Sequence, residues 1–161
     1  MESVIKIASY IVDRHQKDFG HRIDEMKLHK LLYFTQRESI IQTDEPMFPE
    51  LFEAWRYGPV MAQLRPLYAQ NQLNELPEPS FIESYKDVFD VVFTKYAIKE
   101  SWSLSRLSHG EISWKNARKD LLPEQNGSNC LSLEDIKEDA KRVKWNKFLL
   151  EVLSKASKSE A

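Results

Sequence analysis

His109, Glu111 and Glu53 are the residues of this chain whose types could carry out proton transfer, because a histidine close to a carboxylate can be tuned to act as acid or base near neutral pH. That chemistry would suit a small hydrolase. No serine or cysteine nucleophile motif, phosphate-cradling glycine loop or second ordered base accompanies the trio, so the sequence favours a non-enzymatic role. His109 is then a helix-end residue that holds the turn from Leu107 to Trp114 against the segment Glu53–Trp55. His15, His21 and His29 match none of the strong zinc spacings, and Cys130 supplies a single thiol, so neither a metal nor a cofactor is expected.

Binding chemistry has more candidates. Lys27, Lys30 and Arg37 are spaced to form a basic helix face, which is read first as a solvated face and second as a contact for phosphate or an acidic partner. Trp55 and Trp114 are expected to pack in the core. Arg56 and Tyr57 at a turn, and Met47 and Phe48 in the loop before it, are the preferred interface residues, since loop tips carry side chains outside the core.

Several elements must position these groups. Val4, Ile7, Ala8, Ile11 and Val12 recur at helical spacing between a Ser3 cap and Gly20. Asp24 caps a second helix with Leu28, Leu31, Leu32 and Thr35 on its core face, while Lys27, Lys30 and Arg37 point elsewhere. Residues 43–49 form a loop. Residues 51–57 alternate as a short extended or β-hairpin element, after which Gly58-Pro59 is expected to open a helix that Pro66 shortens or kinks.

Apolar residues from Phe81 to Tyr96 predict the strongest helix and the centre of the core. Ser101 is placed as the cap of a following helix with Leu104 and Leu107 inward, interrupted at Gly110. Residues 122–130 read as a mobile surface loop, and Ser132 with Asp135 caps a terminal helix expected to break near Lys144 and to fray from Ser154.

The 161 residues suit one domain, and 42% hydrophobic against 30% charged residues can build a core and cover it. A net charge of −2 lacks the electrostatic footprint of a nucleic-acid binder. With one cysteine, and no apolar run long enough to span a bilayer or form a signal-peptide core, a cytoplasmic location without a membrane partner is expected.

Three segments occur in order: Lys27-Leu28-His29-Lys30-Leu31-Leu32-Tyr33, then Glu53-Ala54-Trp55-Arg56-Tyr57-Gly58-Pro59-Val60, then Leu104-Ser105 with Ser108-His109 and Trp114. Together they resemble the Panacea domain, the SocA-like antitoxin domain of bacterial and phage toxin–antitoxin pairs, over about residues 4–120, with a less characteristic helical region at 132–156. The resemblance implies a single mostly α domain of about six or seven helices. It also implies a non-enzymatic antitoxin that binds a cognate protein toxin directly. A proteolysis adaptor is the alternative, so a protease or chaperone is the further partner class. Leu28, Leu31, Tyr33, Glu53, Ala54, Trp55, Gly58, Pro59, His109 and Trp114 are the structural motif positions on this reading. The toxin contacts are sought among Met47, Phe48, Arg56, Tyr57, Lys27, Lys30 and Arg37. Neither the toxin's identity nor the oligomeric state follows from the resemblance.

Overall fold

A computed structural model describes residues 1–159 of the chain. Its described residues form eight α-helices and one two-stranded antiparallel hairpin. The mostly α expectation holds.

Helix α1 (Val4–Phe19) starts where the Ser3 side chain accepts from the Ile5 N–H, and it ends at Gly20 in the left-handed region, φ 77°. Helix α2 (Glu25–Thr43) starts at Asp24, whose carboxylate accepts from the Lys27 N–H, and it closes on Asp44. Both N-caps follow the sequence expectation, because a short side-chain oxygen satisfies a backbone donor that the first turn leaves free.

The centre of the core is α2, not the segment 81–96. Every residue from Leu28 to Ile40 is buried, and the helix packs against α1, α5, α6, α8 and the hairpin. A helix buried on all sides must satisfy its own polar groups. Thr35 Oγ1 donates to the Leu31 carbonyl, Ser39 Oγ to Glu45, and the Gln36 amide both donates to the Phe48 carbonyl and accepts from Met47 N–H. Gln36 therefore binds the backbone of the following loop onto the helix. Met47 and Phe48 are fully buried as a result, which corrects their expected exposure as interface residues. Lys30 and Arg37 are likewise buried, so the expected solvated basic face reduces to half-exposed Lys27.

Strands β1 (Glu53–Trp55) and β2 (Gly58–Val60) pair with Trp55 opposite Gly58. Gly58-Pro59 thus lies in a strand and does not open a helix. The chain passes through a 3₁₀ turn (Ala62–Leu64) into the five-residue α3 (Arg65–Ala69), with Pro66 in its first turn, where a missing N–H is tolerated. The strong apolar segment is two helices, α4 (Pro79–Ser84) and α5 (Lys86–Lys95), kinked at Tyr85.

Helix α6 (Ser101–His109) begins after Glu100. Ser101 is not its N-cap but donates its hydroxyl to the Asp24 carboxylate, so the start of α6 is tied to the start of α2. Leu104 points inward, whereas Leu107 is exposed, contrary to expectation. Helix α7 (Ile112–Ala117) follows Gly110 after one residue.

Residues 122–130 are anchored to the hairpin. Ala54 N–H donates to the Asn129 carbonyl and Leu131 N–H to the Phe52 carbonyl, an isolated antiparallel bridge that sets Cys130 beside Glu53 of β1. Arg118 donates to the carbonyls of Ala54, Leu122 and Gln125, a single guanidinium drawing the loop together. Helix α8 (Leu133–Ser159) runs unbroken through Lys144, and residues 154–159 are helical; the end of the expected fraying segment lies outside the described residues. Its apolar stripe rotates because Ile136 and Ala140 face the body, while residues beyond Lys144 face solvent.

Candidate functional site

The hairpin turn is two residues, Arg56 and Tyr57. Such turns usually need positive φ at both loop positions. Here neither has it, and Gly58 supplies the handedness with φ +116°. Gly58 has a second reason to lack a side chain: a Cβ there would collide with Ser108 Oγ and lie 2.6 Å from Lys30 Cε. One residue from each of the three sequence segments meets at this point.

Lys30 uses that space. Its side chain runs from α2 beneath the turn, and its Nζ donates to the Pro59 carbonyl at 3.1 Å. That is one acceptor for three N–H donors, and the residue is 1% exposed. Burial pushes its ammonium down to about 8, with Asp24 and Glu25 opposing weakly from a distance. Among the described residues no carboxylate lies at ion-pair distance from it.

Above Lys30 opens a cleft of about 350 Å³ whose walls include Glu25, His29, Trp55, Arg56, Tyr57 and Arg65. Glu25 is already occupied: the His29 ring faces it at 3.5 Å and Arg65 Nε donates to it at 2.9 Å. Those two partners, His29 first, hold the Glu25 carboxyl down at about 2. His29 Nδ1 accepts from the Met61 N–H, which places the ring proton on Nε2 toward Glu25, and burial keeps the imidazole below its ordinary range. Arg65 also lies over the Trp55 ring at 5.0 Å. Arg56 differs from these neighbours: its guanidinium rests on the Tyr57 ring at 4.9 Å and has no hydrogen-bond or ion-pair partner among the described residues.

The turn itself is held rigid. Ser105 Oγ donates to the Tyr57 carbonyl at 2.7 Å, and Arg56 N–H donates to the Asn126 side chain. Tyr57 packs edge-on against Trp102, and the two rings are 40% and 54% exposed, forming an aromatic patch beside the cleft. The side chains at the tip are therefore accessible on a backbone that does not have to be ordered at binding.

His109 and the acids expected to accompany it are not brought together. The His109 ring stacks on Trp114, centroids 4.2 Å apart, and Trp114 Nε1 donates to the Trp55 carbonyl at 2.9 Å. Burial lowers the imidazole, with the Arg56 backbone opposing. Glu53 accepts from Trp55 Nε1. Glu111 faces the interior, where it accepts from Tyr33 Oη at 2.7 Å and from Arg37 Nη1 at 2.9 Å. Asp139 of α8 joins it, accepting from the Ile112 and Ser113 N–H groups at the start of α7 and lying 2.9 Å from Tyr33 Oη. This buried network locks α2, α7 and α8 together and sets where Trp114 meets the hairpin.

Of the sequence candidates, Arg56, Tyr57 and Lys30 converge on the cleft. Lys27 lies apart beside Phe19, and Arg37, Met47 and Phe48 are interior. Trp102 stands out in the sequence only as one of several aromatics that could serve as core filler or interface anchor, and Glu25, Arg65 and Asn126 carried no signal of a site, because the fold alone brings them to the tip. Among the described residues no cluster of His, Cys, Asp and Glu is arranged to hold a metal, and no helix is long and apolar enough to cross a membrane. The model of the family described as antitoxin SocA-like, Panacea domain, matches residues 28–115, more than half of the chain. No curated protein and no solved structure matches it.

Proposed function

The chain belongs to the SocA-like antitoxin family with a Panacea domain, and from that premise we propose that it neutralises a cognate protein toxin by direct binding at the hairpin-tip cleft. The observation that carries the location is the pair of cations without counter-ions among the described residues, Lys30 in the cleft wall and Arg56 at its rim, beside the exposed rings of Tyr57 and Trp102. A buried ammonium with unused donors is costly to maintain, and a carboxylate brought in by a partner supplies what it lacks. Aromatic and arginine side chains on a rigid turn are also the residue types that dominate binding energy in protein interfaces. The toxin segment that docks here presents an Asp or Glu carboxylate between Lys30 and Arg56, with apolar atoms against Tyr57 and Trp102.

A non-enzymatic role fits the same geometry. His109 is stacked on Trp114, and Glu111 and Glu53 are each engaged by other groups.

The reading is tested with the small protein encoded in the adjacent reading frame. Expressed alone it should arrest growth, and co-expression with this chain should restore growth and yield a stoichiometric complex. A neighbour that is harmless, or growth restored without any physical complex, would contradict the proposal.

A further inference from the structure

Helix α8 is 27 residues long, but only its first part packs into the body: Ile136, Asp139 and Ala140 are buried, Lys144 Nζ lies 4.0 Å from the Asp44 carboxylate, and every residue from Lys144 to Ser159 is exposed. At 1.5 Å per residue the free part projects about 24 Å. Trp145, Phe148, Leu149, Val152 and Leu153 recur on it at the i, i+3, i+4, i+7, i+8 spacing of a core-facing stripe, with exposures from 39% to 64%. Ala156 extends the stripe.

We propose that this stripe pairs antiparallel with the same helix of a second copy. Three features favour that occupant. The first is size. An antiparallel pair centred between Leu149 and Val152 sets Trp145 of each helix opposite Ala156 of the other, large against small, whereas a parallel pair sets indole against indole.

The second is charge. Residues 144–159 carry four lysines, Lys144, Lys147, Lys155 and Lys158, against Glu151, while the whole chain has a net charge of −2, so the remainder is acidic. In that antiparallel register each of the four lysines stands opposite an uncharged residue, Lys144 opposite Ser157, Lys147 opposite Ser154, Lys155 opposite Asn146 and Lys158 opposite Val143. Parallel pairing would place the same lysines side by side.

The third is area. Covering the five large side chains on both helices removes on the order of 1,000 Å² from water, near the lower bound for a specific association. The dimer is therefore concentration-dependent.

Sedimentation velocity of the full chain over a concentration series tests this without any toxin, so its outcome is independent of the antitoxin reading. The expected result is a reversible monomer–dimer equilibrium that Leu149→Glu with Val152→Glu abolishes while the melting curve of the body is kept. Ala156→Trp should weaken the dimer, and Trp145→Ala added to it should restore association by reversing the large and small positions. A monomer at every concentration, or a dimer indifferent to the two glutamates, would overturn the proposal. So would a monomer whose stripe instead sediments with phosphatidylserine–phosphatidylcholine vesicles.

Discussion

The Lys30 ammonium reaches the Pro59 carbonyl by passing where a side chain on residue 58 would stand. The glycine of the second segment is thus the space into which the lysine of the first segment is threaded. Gly58→Ala adds a methyl group against Lys30 and Ser108 at φ +116° and should destabilise the fold by about 1–3 kcal/mol. Urea denaturation of the two proteins measures this, and equal midpoints would show that the turn adapts without strain.

Lys30 gives the fold a pH signature in the alkaline range. Its folded value of about 8 lies below the ordinary 10.5, so between those limits the unfolded chain binds more protons and the contribution of this group to stability rises with pH. Wild type should gain stability relative to Lys30→Met as pH increases from about 8 to 10.5. Paired melting curves at constant ionic strength test it. A stability difference that is flat across that window would mean the ammonium is not held in the environment described.

Tyr33 has one hydroxyl proton facing oxygens of both Glu111 and Asp139, with Ser113 Oγ at 3.2 Å as a further partner. Tyr33→Phe keeps the ring but removes the group that joins the two carboxylates. A loss of about 1–3 kcal/mol is expected, together with faster amide exchange at Ile112 and Ser113, where Asp139 caps α7. Unchanged exchange there would show that the cap stands without the tyrosine.

Arg118 should govern the order of the segment that follows it, because it bonds the carbonyls of Ala54, Leu122 and Gln125 at once. Arg118→Met is expected to raise hydrogen exchange across residues 122–131 while α1 and α2 keep their protection. A segment equally protected in the variant would assign its order to the Asn129 and Leu131 backbone bonds.

Local rules were legible in the sequence. The Ser3 and Asp24 caps, the Gly20 stop, the core stripe of α2 and the alternation of Phe52 and Ala54 against Glu53 and Trp55 all depend on neighbours a few residues away. What escaped was set by partners distant in sequence. Lys30 and Arg37 read as a solvated face because charges usually are. Their burial depends on Pro59, Glu111 and Tyr96, between 29 and 74 residues further along the chain. Met47 and Phe48 read as a loop tip because nothing local marks Gln36 as the side chain that binds their backbone. The cleft was half visible: Arg56 and Tyr57 stood out at the turn, while Glu25, Arg65 and Trp102 reach it only through the packing of α2, α3 and α6.

The hairpin tip is the surface proposed to engage the toxin. Among the described residues the Arg56 side chain has no hydrogen-bond or ion-pair partner and rests only on the Tyr57 ring, which is itself 40% exposed, so Arg56→Glu with Tyr57→Ala should move stability by no more than about 0.5–1 kcal/mol. The most direct measurement is growth of cells expressing the neighbouring toxin with this double variant, alongside its melting curve. The expected result is a folded protein with a near-native melting temperature that fails to bind the toxin or restore growth. Full rescue by the folded double variant would contradict it and move the binding surface away from the cleft.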